Sequence, residues 1–137
     1  MVTIAVNRQR HTAVVHHARD ADGVVEGDAI WVDEPDLPIL ALTADCVPIA
    51  IARHGHAEPR LAVVHAGWRG LASGVVANAI AALGDGPFQA MIGPAVGPCC
   101  YEVGVEVSDL FARDLTVDRR LDLWSAAERD AKPWVVA

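Results

Sequence analysis

The chain has 137 residues, 53% of them hydrophobic and 21% charged, with a formal charge of −7. That length and composition predict one globular domain over residues 1–137 with a buried core, not a disordered chain. The negative charge argues against a non-specific nucleic-acid binder, which would present a basic face.

No apolar run approaches the roughly 18–20 residues of a membrane span, and the N-terminus shows no basic-then-apolar secretory pattern. Of the three cysteines, Cys99 and Cys100 are adjacent and Cys46 stands alone. That is a poor disulfide framework, suited to a reducing compartment, so a cytoplasmic protein is expected.

In chain order, "TAVVHH" (12–17), "DAIWVD" (28–33), "ILALTA" (39–44), "VPIAIAR" (47–53) and "RLAVVHA" (60–66) read as strands, being β-branched and apolar between Gly, Pro and Asp. The period then changes. In "GLASGVVANAIAALG" the residues Leu71, Val75, Val76, Ala79, Ile80 and Leu83 recur at helical spacing, and Gly84 closes the segment. "FQAMIG" (88–93) is a further strand, "PAVGPCCYEVG" a Gly/Pro-rich loop, and 105–115 and 121–130 read as helices. Strands apolar on both faces need cover on both sides. The fold class is therefore α+β or α/β in layers.

Three stretches can carry chemistry. In "LTADCVPIA", Asp45 and Cys46 lie between apolar runs, where a buried carboxylate is expensive unless bonded; Cys46 alone would be an ordinary small core residue. In "AVVHAGWRGLASG", a strand delivers His65 and glycines 67 and 70 flank Trp68 and Arg69. Helix-start N–H groups and the Arg69 guanidinium suit an anion there, and Trp68 offers a stacking face. The alternative is a structural turn in which Trp68 caps the core and Arg69 pairs with an acid. "IGPAVGPCCYEVG" presents Cys99, Cys100, Tyr101 and Glu102 on a rigid loop of the kind that lines clefts. Cys46 and His65 can be a thiolate–imidazole pair, or two ligands of a zinc ion with a third imidazole.

The remaining histidines point elsewhere. His16 and His17 are consecutive in a strand and face opposite sides. His54 and His56 lie in a polar turn. Their His-x-His form has no second copy, which argues against a multicopper site.

"LTADCVPI", "VVHAGWRGLASGVV" and "IGPAVGPCCYEVG", in this order, resemble the YfiH-like, laccase-domain family from about Gln9 to Trp124. Its members have been called polyphenol oxidases and are regarded as purine nucleoside phosphorylases with adenosine deaminase side activity. The resemblance implies zinc held by His11 (in "QRHT", against a family "QVHG"), Cys46 and His65. Catalysis is expected from Cys46, His65, Arg69 and Asp45, and substrate binding from Arg69, Trp68, Cys100, Tyr101 and Glu102. It implies an α+β fold of two mixed sheets packed together with flanking helices, in an α/β/β/α arrangement. Relative to the family the sequence is short at both ends, so an incomplete fold and self-association through uncovered apolar surface are expected.

The expected substrates are a purine nucleoside and phosphate, with Zn2+ rather than copper as cofactor. A metal-free Cys–His hydrolase or deamidase using Cys46 and His65, and an inactive zinc-binding remnant, are the alternatives.

Overall fold

The longest run of backbone pairing joins β6 (Val47–Arg53) to β7 (Arg60–Ala66), antiparallel along their whole lengths, with Val47 opposite Ala66 and Arg53 opposite Arg60. Both strands span the residues expected of them. The computed structural model describes residues 3–55 and 58–134. Around that pair a five-stranded mixed sheet forms in the order β2 (Val15–His17), β4 (Ala29–Val32), β7, β6, β8 (Phe88–Ile92). Only β2 and β4 within it are parallel. A second sheet sets β1 (Ala5–Arg8) parallel to both β3 (Asp22–Glu26) and β5 (Ile39–Leu40).

The main core lies between the five-stranded sheet and three helices: α1 (Trp68–Ala72), α2 (Val75–Leu83) and α4 (Leu123–Ala131). Ile49, Ile51, Val64, Val75, Val76, Leu83 and Leu123 are fully enclosed there. A smaller core of Ala5, Ala18, Ala21, Ile30 and Val32 fills the space between the two sheets. β4 is therefore packed on both sides, which is why "AIWV" carries no polar residue. This is an α+β architecture of packed sheets with helices outside.

Local chemistry sets the element ends. The helical run from 68 to 83 is divided because Gly74 adopts a left-handed φ of 84°, a conformation that costs a residue with a Cβ. The segment 105–115 is not one helix. After α3 (Val105–Ser108), the Ser108 hydroxyl donates to the Val105 carbonyl, and Leu110 and Phe111 bond three residues back, tightening the chain out of α geometry. A 3-10 turn at Arg113–Leu115 leads into a hairpin of β9 (Thr116–Val117) and β10 (Arg120–Leu121). α4 then starts on Asp122, whose carboxylate accepts from the Ser125 N–H at 2.9 Å.

"ILALTA" departs most from expectation: pairing ends at Leu40 and residues 41–46 are irregular. β1 and β3 were not legible as a parallel pair. Among the described residues no helix is long and apolar enough to cross a membrane. Ile4 and Trp134, near the two ends, are half exposed, while the tail 135–137 and His56 lie outside the described residues.

Leu83 joins α2 to the sheet and has no exposed surface. Replacing it with alanine removes buried methyl groups and leaves a void, so Leu83→Ala should lower stability by ~2–5 kcal/mol. Urea unfolding followed by far-UV circular dichroism measures this. An unchanged midpoint would mean that α2 is not part of the cooperative core.

Candidate metal centre

The strand register brings Cys46 to His65. Because Pro48 faces His65 and Val47 faces Ala66 across the β6–β7 ladder, Cys46 emerges from β6 opposite Gly67. A Cβ on Gly67 would stand 3.0 Å from the Cys46 sulfur and 2.7 Å from His11 Cδ2, so only glycine leaves room for both side chains.

His11 arrives from a different part of the chain. The Gln9 side chain donates to the Leu42 carbonyl at 2.6 Å and accepts from the Leu42 N–H at 2.8 Å. That clasp ties the segment carrying His11 to the one leading to Cys46.

The result is a compact donor set. A ring nitrogen of His11, the sulfur of Cys46 and a ring nitrogen of His65 all lie within 4.8 Å of one another. His11 Nε2 is 3.7 Å from the sulfur, and the two imidazoles meet edge to face with centroids 4.9 Å apart. His65 is buried, Cys46 half-buried and His11 exposed. These residues can hold a metal ion.

A residue not singled out from the sequence organises the group. Asp28, just before β4, is buried, and its carboxylate accepts from His65 Nδ1 at 2.7 Å. The same carboxylate accepts from the backbone N–H groups of Arg10, His11 and Thr12 and from the Thr12 hydroxyl, at 2.7–3.1 Å. Burial opposes its ionisation, but the hydrogen bonds from Thr12, His65 and Arg10 outweigh that and hold its pKa below the ordinary carboxylate value.

An ionised carboxylate only accepts, so His65 donates through Nδ1, and Nε2 is the ring nitrogen free to face a metal ion. The N–H groups also fix His11 at a φ of 60°, a left-handed conformation costing ~1–3 kcal/mol when unsupported. "EGDA" reads as a turn entering a strand, and nothing in it announces a buried carboxylate.

Burial first, then the charges of Asp45 and Asp28, push the Cys46 thiol up. Negative charge around a sulfur and two imidazoles favours a cation. Asp45 itself is exposed, a correction to the expectation that it is buried between strands, because 41–46 is a loop at the surface. Tyr101 is partly buried, and desolvation with the neighbouring charges of Cys46 and Asp45 raises its pKa.

Arg69 is exposed and lies over the Trp68 ring at 4.6 Å. Among the described residues it forms no ion pair. α1 is only five residues long, so its N-terminus adds little to what the guanidinium offers an anion.

Two expected residues stand apart from the donor set. Glu102 forms an exposed ion pair with Arg119 at 2.6 Å. The Cys100 sulfur lies 2.7 Å from that of Cys99, on an exposed turn.

One further group of close donors, His17, Asp33 and Glu34, is already committed. His17 Nδ1 accepts from the Arg19 N–H, so Nε2 carries a proton that it donates to Asp33 at 2.9 Å, and Glu34 is paired with Arg19.

The family model described as multi-copper polyphenol oxidoreductase laccase matches residues 1–135. A purine nucleoside phosphorylase of Aquifex aeolicus is 38% identical over 127 residues, covering 90% of this chain and 59% of that protein. The Escherichia coli purine nucleoside phosphorylase YfiH is 38% identical over 86 residues, 61% of this chain and 35% of its own length.

A Neisseria meningitidis crystal structure superposes with a TM-score of 0.84 at 31% identity, covering 98% of this chain and 61% of that one. YlmD from Geobacillus stearothermophilus gives 0.80 at 26% identity, covering 98% and 59%. The match thus spans about three fifths of the Aquifex protein and of the two solved structures, and about a third of the Escherichia coli protein. With the family model matched from end to end of the described residues, the chain belongs to the YfiH-like, laccase-domain family.

Proposed function

We propose that this chain carries a zinc site that serves phosphorolysis of purine nucleosides, with adenosine deamination as a side activity. The convergence of His11, Cys46 and His65 within 4.8 Å carries the reading. Two imidazoles and a cysteine sulfur are three protein donors of the kind a catalytic zinc takes, and the Asp28–His65 bond would supply the outer carboxylate that such sites use. A multicopper centre needs further clusters of free histidines, and among the described residues the other candidate group has its donors engaged. When bound, zinc would supply Lewis acidity at these three donors.

The chain's own residues do the rest. Arg69, braced on Trp68, holds phosphate through its fork for attack on the ribose C1′ as the bond to the purine breaks. Tyr101 keeps its phenolic proton and can donate a hydrogen bond as charge develops on the departing base. Asp45 is close enough to Cys46 and Tyr101 to influence both and could carry a proton, whereas Glu102 is held by Arg119.

A metal-free Cys–His hydrolase has one observation in its favour, because Asp28 would also orient His65 as a general base. Burial, together with the Asp45 and Asp28 carboxylates, raises the Cys46 thiol and works against it.

Three outcomes are expected. Elemental analysis of purified protein should find zinc at one ion per chain, and Cys46→Ser should lose both the ion and inosine phosphorolysis. Metal-free protein that still turns over with an alkylatable Cys46 would establish the hydrolase instead, and stoichiometric zinc without turnover the remnant.

Asp28→Asn should keep the fold but weaken zinc binding by ~10–100-fold, the usual effect of removing an outer-sphere partner. Chelator competition and the thiolate charge-transfer band of the cobalt-substituted protein read this directly. An unaltered band and affinity would reduce Asp28 to a purely structural role.

Arg69→Lys should retain fold and zinc but raise the phosphate concentration needed for half-maximal phosphorolysis, leaving deamination largely intact, since lysine lacks the bidentate fork. A lowered melting temperature with unchanged phosphate dependence would make Arg69 structural.

A further inference from the structure

Cys99 and Cys100 stand apart from the three metal donors, and their geometry is unusual for neighbours in sequence. In an extended chain adjacent side chains point to opposite faces. Here the Cys100 N–H donates to the Gly97 carbonyl at 3.0 Å, closing a reverse turn with Pro98 in its second position. The turn is held from both sides. Val96 N–H bonds the Asp45 carbonyl at 2.9 Å, and Leu121 N–H bonds the Tyr101 carbonyl at 3.0 Å.

So anchored, it sets the two sulfurs 2.7 Å apart, and both residues are exposed. A disulfide needs ~2.03–2.05 Å, and closing it between adjacent residues, whose Cα atoms are only ~3.8 Å apart, makes a strained ring. The sulfur contact with Cys99 pushes the Cys100 thiol up, while Arg120 pulls it the other way.

The surroundings select the oxidant. Cys99 lines a depression of about 340 Å³ together with Asp114, Asp118, Asp122 and Arg120. Arg129 is bonded to Asp114, so Asp118 and Asp122 stand against Arg120; the remaining negative charge disfavours an anionic oxidant such as glutathione disulfide and leaves access to a small neutral one.

We propose that Cys99 and Cys100 are a redox site in their own right, at which hydrogen peroxide converts the dithiol reversibly to a disulfide within the turn. One sulfur, as thiolate, takes an oxygen from peroxide to give a sulfenic acid and water. The neighbouring thiol then displaces the second water as the S–S bond forms. Both sulfurs are oxidised by one electron each, and peroxide is reduced to two waters. The ring so formed is small and exposed, properties that make a disulfide easy to reduce.

The test uses the full-length chain with its metal as purified. Limiting hydrogen peroxide is followed by catalase, then by alkylation of the unfolded protein with N-ethylmaleimide and mass spectrometry. The expected product has lost two hydrogen atoms, both from the peptide holding residues 99 and 100, with Cys46 alone alkylated of the three cysteines. Dithiothreitol should restore all three thiols.

The loss should persist in Cys46→Ser and vanish in Cys99→Ser and in Cys100→Ser. Phenylarsine oxide, which bridges paired thiols, should block both cysteines in the unsubstituted chain and neither in the single variants. Sulfinic or sulfonic acid at either cysteine without loss of two hydrogens would overturn the proposal. A disulfide to Cys46 or between two chains would do the same.

Discussion

The Asp28 carboxylate is the interaction on which the site depends. An ionised group without exposed surface is tolerated only when its lone pairs are bonded, and here five donors reach it. Its backbone is used as well: the Asp28 N–H bonds the Val14 carbonyl, and the Asp28 carbonyl accepts the His65 N–H at 2.7 Å. One residue thus fixes the backbone and ring of His65 and the turn presenting His11. The two imidazoles cannot be displaced independently, because both are tied to a carboxylate at the start of a strand packed on each side. Preorganisation of this kind places the cost of ordering the donors on folding instead of on ligand binding.

The sheet supplies the remaining constraint. A one-residue slip between β6 and β7 would turn every side chain of one strand to the other face. The strictly alternating burial of β6 against the largely buried stretch Ala62–Ala66 of β7 opposes such a slip. The same register that fills the core with Ile49, Ile51 and Val64 therefore determines where Cys46 leaves the sheet. Core packing and metal-donor geometry are two consequences of one pairing.

What was legible in the sequence follows from how local each signal is. β6 and β7 could be read to the residue because apolar composition and flanking Gly, Pro and Asp bound them on both sides. The α2 face was equally plain, though Gly74 was read through instead of as a break. β1 and β3 owe their existence to parallel partners distant in the chain, and "DGVVE" carries too little apolar pattern to announce a strand. Segment 41–46 misled because its apolar letters serve an irregular loop whose Leu42 is exposed and held by the Gln9 amide. Asp28 was missed for a related reason: its donors lie 16 to 37 residues away, so neither side of the arrangement is marked locally.

In the proposed reaction, metal capture and substrate recognition would draw on different parts of the molecule. The three donors, their carboxylate support and the glycine that leaves them room all fall between residues 11 and 67, on strands and turns fixed by the core. Recognition of a nucleoside needs far more surface: a face for the base, donors for the ribose hydroxyls and a fork for phosphate. Of these, Trp68, Tyr101 and Arg69 are at hand, and the guanidinium and the ring it lies over are more exposed than the buried His65. The three donors are therefore tied to the core, while the residues proposed to meet substrate are side chains at or near the surface. Loss of order there would reach KM and kcat before it reached the metal.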